Sequence, residues 1–168
     1  MSPELHINLT NLKSNFKFFQ RIIKTNTELS AVVKSDAYGL GIAKIVPEIE
    51  RYGVRSFFTA TISEAIKVRS YSRASEIFTL NGFDFLKSNL YREHNITPII
   101  NNILEAQKFI EIFNQTQKVA IQLNTGMNRL GLDKQSLLDN IDIVKSLPLN
   151  LILSHLACAD EISNKENK

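Results

Sequence analysis

Apolar positions along this chain come in two alternating rhythms. Short, nearly continuous apolar runs over residues 29–33, 56–61, 76–80, 97–100, 119–123 and 149–154 predict buried strands. Between them, apolar residues recur at three- and four-residue spacing, which predicts helices with one inward face. Leu12, Phe16, Phe19 and Ile23 form the first such face, with Asn8 or Thr10 as its cap. A second helix is predicted over 42–52, stopped by Gly53, although Pro47 suits it only in the first turn. Ser63 reads as the cap of a short helix, with Glu64 near its positive end. Further helices are predicted over 83–93, over the stretch capped by Asn102 that carries Ala106, Phe109, Ile110 and Phe113, and over 137–147 up to Pro148. The end of the chain is polar and predicted to fray.

Strand–helix units with almost wholly apolar strands predict an α/β fold with a parallel sheet. A doubly wound sheet and a barrel both satisfy the pattern. The 168 residues, 43% of them hydrophobic, are enough for one sizeable domain. The net charge of +3 is mild and the basic residues are scattered, which predicts neither a nucleic-acid nor a membrane-surface patch. No apolar run approaches the roughly 20 residues of a membrane span. One cysteine fits a reducing compartment, and Met1-Ser2-Pro3-Glu4 lacks a signal peptide's order, so a cytoplasmic location is expected.

Candidate chemistry begins at Lys34, which ends the first apolar run. An ammonium at the tip of a buried strand loses solvation, and desolvation favours the neutral amine that a carbonyl-condensing lysine needs. A strand-end lysine with its head in water is the plain alternative. His155 ends the last strand, where a lone histidine is more often a satisfied core residue. Cys158 reads as a small buried residue, and His6 and His94 match no motif. No His/Cys/Asp set has metal-ligand spacing, so no metal is expected.

Three strings change these odds. Ala31-Val32-Val33-Lys34-Ser35-Asp36-Ala37-Tyr38-Gly39-Leu40-Gly41 closely resembles the pyridoxal phosphate (PLP) attachment motif of alanine racemases, Ala-Val-Val-Lys-Ala-Asp/Asn-Ala-Tyr-Gly-His-Gly. Leu123-Asn124-Thr125-Gly126-Met127-Asn128-Arg129-Leu130-Gly131 and Ser154-His155-Leu156-Ala157-Cys158-Ala159-Asp160 resemble later stretches of the same family, in the same order. The chain is identified on these strings as a member of that family. The resemblance implies a (β/α)8 TIM-type barrel, of which this chain holds about six of eight parallel strands over residues 1–160. It also implies a C-terminal β domain that is missing here, leaving 161–168 as a polar tail. By the same resemblance Lys34 carries PLP and serves as the base on the D-alanine side, and Tyr38 contacts the PLP phosphate. Arg129 lies near the cofactor's phenolic oxygen and the substrate carboxylate, with Met127 close by, and His155 packs on the pyridine ring.

Three departures stand out. Leu40 replaces the family's usual histidine, Gln122 a lysine that is often carbamylated to hold the arginine, and Asn124 an aspartate. Gln122 can accept from Arg129 through its amide oxygen but brings no negative charge, so Arg129 is expected to be held less firmly than in a racemase carrying the carbamate. The function implied is PLP-dependent interconversion of L- and D-alanine for peptidoglycan, in a homodimer whose partner subunit supplies the second base from the missing half. This chain alone is expected to be inactive, with rescue by a separately encoded C-terminal piece. A racemase for serine or lysine, a non-catalytic PLP-binding barrel protein and a decayed, ligand-free gene product stay open as alternatives.

Overall fold

A computed structural model describes residues 4–161 and 163–167. The chain divides into two compact units, Met1–Ile77 and Phe78–Lys168. The first unit opens with helix α1 (Leu9–Ile22), capped by Asn8, whose Oδ1 accepts from Thr10 N at 2.9 Å and Asn11 N at 3.1 Å. Of the predicted inward face, Leu12, Phe16 and Ile23 are half-buried and Phe19 is exposed. Strand β1 is only Ala31–Val32, shorter than the apolar run, because the backbone turns away immediately after Val33. It pairs in parallel with β2 (Ser56–Thr59), Ala31 beside Phe57 and Val32 beside Phe58.

Between these strands lie a short turn, α2 (Lys34–Tyr38), and helix α3 (Ile42–Arg51). α3 buries Ile42, Ile45, Val46 and Ile49 at helical spacing. Pro47 sits inside it rather than in its first turn. The carbonyl it leaves without a donor belongs to Ala43, which is exposed and so open to water. Helix α4 (Ile62–Arg69) starts at Thr61, not Ser63: the Thr61 side chain accepts from Glu64 N.

The second unit holds four parallel strands in the order β3 (Glu76–Thr79, which begins at the end of the first unit), β4 (Thr97–Ile100), β5 (Val119–Leu123) and β6 (Leu149–Ser154). β4 and nearly all of β5 are buried, as their unbroken apolar runs require. β6 instead alternates half-buried and exposed positions, with Ile152 61% exposed, because only β5 pairs with it among the described residues. The predicted helix over 83–93 resolves into a 3₁₀ turn, Phe85–Lys87, and α5 (Ser88–Glu93). α6 (Ile103–Phe113), capped by Asn102, packs Phe109 and Phe113 against Phe83, with ring centroids 5.4 and 5.6 Å away. The stretch 137–147 forms two short helices, α7 (Lys134–Asp139) and α8 (Ile141–Lys145), broken at Asn140. The described part of the tail is tied back, since Asn167 Nδ2 donates to Cys158 O at 2.7 Å and Glu161 O at 2.9 Å.

Candidate active-site elements at the strand tips

The residues singled out from the sequence follow the C-terminal ends of strands. In α/β barrels that end carries the chemistry, because short loops there can present side chains from a rigid base. In the first unit Lys34 leaves β1 and opens turn α2. Ser35, Asp36, Ala37 and Tyr38 all have φ between 52° and 56°, a left-handed turn, and Gly39 and Gly41 continue at 82° and 90°. Left-handed backbone costs an L-residue about 1–2 kcal/mol, so a run of four persists only where neighbours hold it.

The holding bonds are specific. Ser35 N donates to Glu64 Oε1 at 2.8 Å, Gly41 N to Asp36 O at 2.8 Å, and Gly39 N to Ser35 O at 2.9 Å. Asp36 Oδ1 accepts from Lys67 Nζ at 2.8 Å and from Ile42 N at 3.1 Å. The Lys67 hydrogen bond, then the Ile42 amide, hold the Asp36 carboxyl below its ordinary value, and Asp36 in turn raises Lys67. Lys34 is half-buried, and its Nζ lies 6.0 Å from the centroid of the Tyr38 ring. Tyr38 itself is 63% exposed. Among the described residues Lys34 forms no ion pair.

In the second unit the loop after β5 is built by Asn124. Its Oδ1 accepts from Gly126 N at 3.1 Å and Asn128 N at 3.0 Å, and its Nδ2 donates to Asn128 Oδ1 at 2.9 Å. The chain then returns to β5: Asn124 N donates to Leu132 O at 2.8 Å and Leu132 N to Gln122 O at 2.9 Å. Gly131, at φ 100°, makes that return possible, since a Cβ there would meet Gln122 O at 2.9 Å and Asn124 N at 3.0 Å. The loop presents Arg129, exposed and with no hydrogen bond or ion pair among the described residues, while Met127 is half-buried.

Gln122 is 8% exposed, and its amide nitrogen donates to Leu130 O at 3.5 Å. No hydrogen bond joins Gln122 to Arg129 among the described residues. His155 follows β6 and is exposed. Its Nδ1 lies 2.7 Å from Leu156 O, and a carbonyl can only accept, so Nδ1 carries the proton and a neutral ring leaves its lone pair on Nε2. Thr125 Oγ1 donates to His155 O at 3.5 Å, which joins the Arg129 loop to the end of β6.

Thus the first unit brings Lys34 and Tyr38 together, and the second brings Met127, Arg129 and His155 onto two adjoining loops. The sequence reading missed the long reach of Glu64, Lys67 and Asp36. Thr61-x-x-Glu64 has the spacing of a capping box, a signal for Glu64 that was legible without the structure. Among the described residues no group of His, Cys, Asp or Glu can hold a metal, and no helix is long and apolar enough to cross a membrane.

Parallel strand–helix units with functional candidates after the C-terminal tips of β1, β5 and β6 define an α/β protein of the barrel class, with six described strands where a closed barrel has eight. The family model for "Alanine racemase, N-terminal domain" matches residues 7–168, and the chain belongs to that family. It is similar to the alanine racemases of Rickettsia akari (35% identical) and Rickettsia canadensis (37%), in each case over 97% of this chain and 48% of the relative. Among solved structures it is similar to the Bartonella henselae alanine racemase with covalently bound pyridoxal phosphate. That match has a TM-score of 0.88 and 32% identity over 96% of this chain and 48% of the other. The biosynthetic alanine racemase of Pseudomonas aeruginosa gives a TM-score of 0.83 and 28% identity, covering 95% of this chain and 45% of the other. The chain therefore spans about half the length of the relatives it matches.

Proposed function

We propose that this chain is the lysine-bearing half of a PLP-dependent alanine racemase. The observation that carries the reading is Lys34 itself, an amine at a strand tip with no ion pair among the described residues, opening a strained turn that its neighbours hold in place. An aldehyde cofactor with an anionic phosphate fits what is present. In the first unit Lys34 offers a reachable amine and Tyr38 an exposed hydroxyl, and in the second Arg129 offers a guanidinium with no ion pair among the described residues. When bound, PLP supplies an electron sink for the electrons left by the α-proton.

In this reading Lys34 holds the cofactor and moves a proton at the substrate α-carbon from the D-alanine side. Tyr38 binds the phosphate. Arg129 orients the substrate carboxylate and the cofactor's phenolic oxygen, with Met127 beside it. His155 would pack on the cofactor's pyridine ring, with its own ring oriented by the Nδ1 contact to Leu156 O. Racemisation needs a proton donor and acceptor on each face of a planar carbon, and Lys34 serves one. The second is assigned to residues beyond the half that this chain matches, contributed in a homodimer or by a separately encoded piece. Residues 1–160 are assigned to the partial barrel and 161–168 to a short tail. The enzyme is assigned to the cytoplasm, where its D-alanine feeds peptidoglycan.

Visible absorbance on adding PLP tests the cofactor reading. The chain should develop a long-wavelength band, and Lys34→Ala should abolish it. A band of equal strength in the variant, or none in the wild type, sinks the assignment. D-alanine formation should be undetectable with the chain alone and should appear when the remaining half of a relative is added.

A further inference from the structure

Helix α4 grips the Lys34 turn from the side. Glu64 stands three residues after the Thr61 cap, where a glutamate ordinarily reaches back to its own helix start. One carboxylate oxygen does so, accepting from Ala60 N at 2.7 Å. The other accepts from Ser35 N at 2.8 Å, the first backbone donor after Lys34. One helical turn further on, Lys67 reaches Asp36 at 2.8 Å. Two consecutive residues of the left-handed run are thus held by two side chains of opposite charge on one face of α4.

The same device recurs in the second unit. Glu105, three residues after the Asn102 cap, accepts from Asn101 N at 3.0 Å and from Phe83 N at 3.3 Å, in the loop after β3. That loop, 80–84, carries no lysine, so there the clamp holds backbone and nothing more.

We propose that Glu64 is a positioning residue for Lys34. By holding the Ser35 amide it fixes the backbone from which the Lys34 side chain departs, and Lys67 acting on Asp36 secures the next residue. The inference rests on Lys34 being the PLP-bearing lysine. Glu64→Gln tests it, because an amide keeps the shape but offers one acceptor oxygen to two backbone donors.

Without PLP, amide hydrogen exchange over residues 33–41 should speed up about tenfold in Glu64→Gln, with α3 unchanged. With PLP, borohydride trapping and peptide mass mapping read which lysines are labelled. Lys34 should dominate in the wild type and lose about tenfold relative to surface lysines in the variant, together with the long-wavelength band. Glu105→Gln should loosen its own loop and leave Lys34 labelling unchanged. If Glu64→Gln fails to fold, Lys67→Met, at an exposed position, should shift both readouts the same way to a smaller extent. Unchanged exchange in the turn overturns the proposal, and so does faster exchange with unchanged Lys34 labelling. Absence of Lys34 labelling in the wild type overturns the cofactor reading and the inference with it.

Discussion

Asp36 shows how a single exposed side chain can hold an unfavourable backbone. Aspartate tolerates left-handed φ better than most residues, and here its carboxylate also collects Lys67 and the Ile42 amide. Both contacts are stronger to the ionised form. A carboxyl held below its ordinary value of 3.8 contributes its stabilisation above that value and loses it as pH falls through the lower, folded value. Protection over 33–41, taken relative to the intrinsic exchange rate at each pH, should therefore fall on acidification through the lowered Asp36 value. In Asp36→Asn that protection should be lower throughout and nearly independent of pH over the same range. Because the pair is exposed, about 1 M salt should shrink the difference.

At the scale of elements, β4 and β5 fall where the apolar runs put them, because a parallel strand buried on both faces leaves a continuous signature, and β6 falls on its run although its positions alternate half-buried and exposed. Turn α2 was not legible in that way. Four left-handed residues in a row have no local pattern, and Ser35, Ala37 and Tyr38 do not advertise positive φ. What holds them comes from Glu64, 29 residues away in the chain. The return of the chain at Gly131, which brings Leu132 back onto Gln122, was likewise not legible from the local string. Lys34, Arg129 and His155 stand out as candidates only through the strings around them, since each alone suits an ordinary surface position. The Gly131 return is itself testable. Gly131→Ala combines positive φ with a backbone clash and should cost about 2–3 kcal/mol in denaturant unfolding. Exchange in the 124–131 loop should rise the most.

For the molecule as a whole, the two units each hold their own core, while the family match runs through both, over residues 7–168. Half the length of the relatives is matched, and β6 is left with one paired side among the described residues. A strand with one unpaired edge and an exposed isoleucine is a template for association with other chains. Ile152→Lys should lower concentration-dependent light scattering while shifting unfolding by no more than about 0.5 kcal/mol. Scattering unchanged by the substitution would move the sticky surface elsewhere.

Residues 35–38 also bear on handedness. Their backbone follows the path that mirror-image amino acids take by preference, so an isolated peptide of residues 33–41 built with D-residues at those four positions should settle into this shape without help. The natural L-peptide, deprived of the helix beside it, should relax into extended conformations. In this protein the chirality of the building blocks and the chirality of the turn disagree, and the neighbouring helix decides between them.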